Sequence, residues 1–207
     1  MLSACNIPPQ IGAPTPAGST GVPSTSPHDL NWFINTVLLG NIVQMIETNK
    51  QHYLGFGTLG CAIEFLGACM DSDPFEEEKV SRRRFEAAIK TLFPVSYHPL
   101  ASKGSAYDLY AQLRCGMAHI MRPQGQVGFT SLAVSKQDGT THIHVDANTM
   151  KLVLVSEILL LDYKNAVVSL KTHMAAGAYQ KKLSDQYLTI TDFITTPQIQ
   201  SEQVVAF

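Results

Sequence analysis

Charge is scarce in this 207-residue sequence: Asp, Glu, Lys and Arg together make up 15% of it, against roughly 25% in ordinary soluble domains. A chain so poor in charge is expected to cover part of its surface by association. The formal net charge of −2 supplies no basic excess, which strong non-specific nucleic-acid binding requires. Any phosphate recognition must then rest on a few local groups. The four cysteines, Cys5, Cys61, Cys69 and Cys115, contain no CxxC pair, so a zinc knuckle or thioredoxin-like site is not expected. The last three lie in apolar helical stretches and read as buried free thiols of a cytoplasmic protein. No glycine-rich phosphate loop occurs. The longest strongly apolar run, Leu152 to Leu161, is broken by Ser156 and Glu157 and is too short for a bilayer, so no membrane partner is expected. Leu2-Ser3-Ala4-Cys5 has the look of a lipoprotein cleavage site, but neither a basic nor an apolar region precedes it, and no signal peptide is expected.

Apolar residues account for 45% of the chain, enough for one core of ordinary size. Residues 1–26 are rich in Pro, Gly, Ser and Thr and read as a flexible arm, because such a composition cannot repay its ordering entropy. A helical domain is expected over 27–176, followed by an extension over 177–207 in which Leu183 to Ile194 could form one more helix. Ser26-Pro27-His28-Asp29 is a helix-start signature, and apolar spacing carries that first helix to about Lys50. A second helix is expected from about Thr58 to Met70, with Glu64 its only charge and Gly60 and Gly67 permitting close approach by neighbours. Asp73-Pro74-Phe75-Glu76 marks a third, ended by Pro94, with Arg82, Arg83 and Arg84 on its solvated side. Ser105-Ala106-Tyr107-Asp108 opens a fourth, running to about Arg122. Val127 to Val134 and Thr141 to Val145 read as strands joined through Lys136-Gln137-Asp138-Gly139. Met150 to Val155 suggests a third strand, and Ser156 to Ala176 a last helix with Ile158, Leu161, Ala166 and Leu170 in the core. The expected fold is mainly α: an up-and-down bundle of about five helices with a small antiparallel hairpin or sheet between the last two.

The stretch with the most chemistry is Leu113-Arg114-Cys115-Gly116-Met117-Ala118-His119. On an ideal helix Asp108, Gln112, Cys115, His119 and Arg122 make one stripe, with Arg114 about 140° from His119. Arg114 and His119 therefore do not converge tightly within one helix, but two copies of it meeting about a two-fold axis would bring both pairs into one cleft. The plainer reading of these residues is structural. His119 would complement the negative end of the helix, Arg114 would pair with a carboxylate, and Gly116 would let helices pack closely.

Arg114, four intervening residues and His119, followed by Leu152-Val153-Leu154-Val155 and then Leu160, Asp162, Tyr163, Ala166 and Val167, resemble the Arg-x4–6-His arrangement of the HEPN superfamily (higher eukaryotes and prokaryotes nucleotide-binding). The resemblance covers residues 28–176. It implies a helical homodimer and, as in active members, a metal-independent endoribonuclease with Arg114 and His119 as the catalytic pair and RNA as the partner. It equally accommodates a non-enzymatic interaction module, such as the helical partner of a nucleotidyltransferase in a toxin–antitoxin or defence system. Active members often carry Asn, Asp or His directly after the arginine; here that residue is Cys115, a poor hydrogen-bonding substitute.

No cofactor is expected. His142, His144 and Asp146 would share one strand face, a set able to hold a transition metal; such a face more often meets solvent, and no metal is assigned. Cys115 and His119 could form a thiolate–imidazole couple, although no third orienting group is evident.

Overall fold

A computed structural model describes residues 30–179. The expected arm over 1–26, the cap at Ser26 to Asp29 and the extension beyond Tyr179 lie outside them. Helix α1 spans 30–48 and alternates ordinary α-helical turns with wider π-type stretches at Phe33–Leu39 and Gln44–Thr48. Asn35 and Asn41 donate from their side-chain amides to the carbonyls of Asn31 and Val37 one turn back. Ile34, Ile42 and Ile46 point into the core.

Helix α2, His52–Met70, is the centre of the fold. It begins at His52, well before the expected Thr58, because Gly55 and Gly57 act as contact points and not as helix breakers. A Cβ on Gly55 would lie 2.4 Å from the Ile46 side chain of α1, and one on Gly57 3.3 Å from Met117. At its full length α2 is long and apolar enough, by composition and length alone, to cross a membrane, a test that the buried core helix of a folded domain also passes. Of its most apolar 18-residue window, 56% is buried inside the protein, where Phe56, Leu59, Ile63 and Leu66 form the core.

Helix α3 runs over Ser81–Leu92. The Asp73-Pro74-Phe75-Glu76 segment does not start it; residues 71–75 instead wrap the guanidinium of Arg84. Arg84 Nε donates to Asp71 at 2.7 Å, and its terminal nitrogens donate to the Pro74 and Phe75 carbonyls at 2.5 and 2.8 Å. Arg84 is thus 4% exposed, not part of a solvated arginine face. Arg82 donates to both carboxylate oxygens of Asp108 at 2.9 and 3.2 Å. Only Arg83, which pairs with Asp73, fits the exposed role. Gly67 is the reason the two helices can meet here: a Cβ would stand 1.8 Å from the Arg84 carbonyl oxygen.

A 3-10 segment, Val95–Ala101, leads to α4, which spans 110–120 and is π-type over Tyr110–Cys115. Asp108, not Ser105, caps it by accepting from the Ala111 N–H at 3.0 Å. Met121, in the left-handed conformation at φ 53°, ends it. Strand β1, Val127–Thr130, stops short because Ser131 starts a helix: its hydroxyl accepts from the Val134 N–H, and Gly139 at φ 68° terminates helix α5, Leu132–Asp138. Replacing Ser131 by Ala should lower stability by about 1 kcal/mol, read as a fall in the urea midpoint at constant slope.

Strand β2, His144–Val145, and β3, Leu152–Val155, complete a 3-stranded sheet of order β1-β3-β2. β1 runs parallel to β3 and β2 antiparallel to it. The expected hairpin between the first two strands is therefore replaced by a mixed sheet with an intervening helix. Helix α6, Ser156–Ala175, packs against α2 and α3 with Leu159, Leu160, Tyr163, Ala166, Val167 and Leu170 buried, while Leu161 is 55% exposed. The fold is mainly α with a small sheet, as the residue pattern indicated.

Candidate functional site

Helix α4 meets α2 at Gly60, whose missing Cβ would sit 3.2 Å from the Arg114 Cα. This close crossing sets the Arg114 side chain against Glu64 of α2. The two form an ion pair through Nε and Oε2, both atoms sealed from solvent. Tyr110 lies under both guanidiniums of the region, with Arg82 4.5 Å and Arg114 5.9 Å from its ring centre. Burial pulls the Arg114 pKa down, but Glu64 and Cys61 more than offset this and hold it above its ordinary value. Burial also pushes the Cys61 thiol up, against the nearby Arg114 charge. Cys61 is exposed, Cys115 half-buried and Cys69 buried, so only the last fits the expected buried thiol fully.

Arg114 opens onto a cavity of about 250 Å³ that is also lined by Cys61, Glu64, Phe65, Phe75 and Arg84. Among the described residues nothing takes up its two terminal nitrogens. His119, further along α4, is exposed and makes no hydrogen bond with the described residues. One chain therefore does not bring the two groups together: Arg114 turns inward to Glu64 and His119 turns to solvent. Beside them runs an apolar groove of about 440 Å³, lined chiefly by Met45, Leu54, Thr58, Cys61, Met117 and Met121, with Leu54 and Met121 exposed. Cys61 belongs to both hollows.

Gly116 serves its own helix end. A Cβ there would be 2.6 Å from the Arg122 carbonyl oxygen, so the glycine lets the 122–126 loop fold back on α4 and does not mediate a helix–helix contact. Gln112 holds that loop, accepting from the Gln126 N–H at 2.8 Å and donating to the Ala106 carbonyl. The Asp108–Arg122 stripe is thereby spent on capping and loop closure at Asp108 and Gln112. Among the described residues Cys115 makes no hydrogen bond with His119, whose ring is exposed, which gives no support to a couple between them.

The His142, His144 and Asp146 set does not share a face. Ile143 is in the left-handed conformation at φ 54°, which breaks the strand alternation. Asp146 turns back to accept from Thr149, and His144 is exposed. Among the described residues no cluster of His, Cys, Asp and Glu could hold a metal ion. His142 instead points inward. Its Nδ1 accepts from the Val155 N–H at 2.9 Å, and its Nε2 lies 2.6 Å from the Tyr97 hydroxyl, which donates to Asp162 at 2.6 Å. This assigns the proton of the neutral ring to Nε2, as donor to Tyr97. A second network joins His52 Nδ1 to the buried Ser156 hydroxyl at 2.8 Å, and Ser156 donates to Glu157 at 2.7 Å. Glu157 also accepts from the Leu132 N–H, so its carboxylate anchors α5 to α6. Neither network carries a local sequence signal, because the partners lie on elements far apart in the chain.

Compared with protein-family models, with curated proteins and with solved structures, the chain matches none.

Proposed function

We propose that this chain is a HEPN-like helical module that pairs with a second copy through the α2–α4 face and uses Arg114 and His119 to bind and cut RNA without a metal. The observation that supports the reading is that one short helix, α4, carries both Arg114, whose two terminal nitrogens are untaken among the described residues, and an exposed His119, beside an apolar groove. The groove gives a second copy an apolar surface to cover, in keeping with the low charge of the chain. Across a two-fold axis, His119 of one copy would approach Arg114 of the other.

The chemistry follows from the groups. The guanidinium, oriented by Glu64, would hold the scissile phosphate and offset the charge that grows on it. The imidazole of His119 would take the proton of the RNA 2′-hydroxyl as that oxygen attacks phosphorus. The 5′-oxygen then leaves with the proton that the imidazolium returns, giving a 2′,3′-cyclic phosphate and a 5′-hydroxyl. DNA lacks the nucleophile and would survive.

The test is incubation of the full chain with single-stranded RNA in EDTA, together with its mass in solution by light scattering. The expected result is a dimer that cleaves RNA but not DNA, with His119→Ala losing about 100-fold or more of the rate at unchanged circular dichroism. A monomer, or an intact RNA substrate, overturns the reading. A chain that cuts nothing and instead recovers a stoichiometric protein partner at the groove supports the alternative, an interaction module.

A further inference from the structure

We propose that Tyr110 is a positioning residue of the Arg114 site: its ring holds the Arg114 guanidinium in one orientation and keeps the two terminal nitrogens open as a fork for phosphate. The inference rests on the RNA-cleaving reading above and adds the group that aims its arginine.

The ring is itself held on two sides. Phe85, fully buried, meets it edge to face, with 5.7 Å between ring centres and 67° between planes. The Arg82 guanidinium lies 4.5 Å from its centre. Arg82 is in turn fixed, because it donates to both oxygens of Asp108, an acid that is buried and caps the same helix. Tyr110 and Arg114 stand one turn apart on α4, a spacing at which side chains meet. The guanidinium carbon of Arg114 is 5.9 Å from the ring centre, within the roughly 6 Å over which a ring attracts a cation.

Glu64 reaches Arg114 at Nε. A guanidinium tied at one atom can still turn about that contact, and a ring set against its carbon removes the turn. Arg84, on the same cavity, spends Nε and both terminal nitrogens on Asp71 and on the Pro74 and Phe75 carbonyls. Arg114 is held by contacts of a different kind, which leave both terminal nitrogens untaken among the described residues. Bidentate recognition of phosphate needs such a fork, fixed and open. A displacement of about 1 Å can cost a reacting site about 100-fold in rate.

Steady-state cleavage of single-stranded RNA by the full chain in EDTA tests this with two variants. Tyr110→Leu keeps bulk and loses the π face. It should lower kcat by about tenfold or more and leave KM within about twofold, at unchanged circular dichroism. Tyr110→Phe keeps the ring and should retain the parental kcat. Parental kcat in Tyr110→Leu, or an equal loss in both variants, overturns the role and leaves the nuclease reading standing. NMR of the chain carrying isotope-labelled arginine supplies a readout that needs no RNA. The Nε–H signal that Arg114→Lys deletes should be displaced by the ring, unmoved in Tyr110→Phe, and returned in Tyr110→Leu to the position of the exposed arginines. A parental signal already at that position overturns the role even if Tyr110→Leu fails to fold. The expected signals in a chain that cuts no RNA uphold the hold on Arg114 and overturn the nuclease reading.

Discussion

Gly67→Ala should destabilise this protein by about 3 kcal/mol or more, the upper end of what an overpacked core site costs. The added methyl would stand 1.8 Å from the Arg84 carbonyl oxygen and 2.4 Å from its carbonyl carbon. Those are backbone atoms of α3, so no side-chain rotation relieves the clash and α3 must move away from α2. That movement would uncover Phe85 and Ile89, both fully buried, and loosen the loop that wraps the Arg84 guanidinium. A loss of this size is a large share of the stability of an ordinary domain. Gly60→Ala is the matched control. Its methyl would meet the Arg114 Cα at 3.2 Å, which a shift of a few tenths of an ångström relieves, and the gain in helix propensity of up to about 1 kcal/mol works in its favour. Urea unfolding of the two variants and the parent decides the matter: Gly67→Ala unfolding at the parental midpoint would mean that the α2–α3 contact is not as close as described.

The second large effect is on pH. His142 is neutral in the folded protein because burial, more than anything else, pushes its pKa down to about 4, with Asp162 acting in the opposite direction. Geometry agrees, since a proton on Nδ1 would face the Val155 N–H that this atom now accepts. The unfolded chain takes up the proton first, near the ordinary value of 6.5, so stability is complete above that pH. It falls as the pH drops from 6.5 towards about 4, and below that this group adds no further slope. The accumulated loss is about 3 kcal/mol. His142→Gln should flatten the pH dependence of the denaturation midpoint in that window. Tyr97→Phe removes both the acceptor for Nε2–H and the donor to Asp162, and should lower stability by about 1–3 kcal/mol at neutral pH. If the slope of His142→Gln matches that of the parent between pH 4 and 6.5, the buried network is not what titrates.

Much of the fold was legible from periodicity. Ser156 to Ala176 is expected as a helix and Ser156–Ala175 is one, because a segment of twenty residues with neither Pro nor Gly leaves little choice. Within it, the run Ile158 to Leu161 has no polar residue to set the phase, and Leu161 was assigned to the core although it faces outward. Gly60 and Gly67 are points of close approach, as expected; Gly55 and Gly57 lie before the expected helix start at Thr58, and only the packing of Ile46 and Met117 on them distinguishes contact glycines from breakers. Val127 to Val134 failed for a different reason. Its β-branched residues favour a strand, but the Ser131 cap and Gly139 together close a helix, and a strand was already available in Leu152–Val155 to pair with what remained.

At the candidate site the residue types were visible and their partners were not. Arg82 and Arg84 looked solvated because Asp108 and Asp71, which neutralise them, lie elsewhere in the chain. Arg114 could be suspected of meeting a carboxylate, yet only the crossing of α2 and α4 names Glu64 and opens the aromatic-walled cavity beside it. By itself the sequence determined a charge-poor, mainly helical domain, the lengths of its best helices and the presence of Arg114 and His119 on one of them. Tertiary structure decided which charges are buried in pairs, which histidine turns inward and which outward, and where hollows remain. The division has a physical cause: helix periodicity is set by residues a few positions apart, whereas ion pairs, buried networks and cavities are set by the close approach of segments whose separation in the chain carries no information about their distance in space.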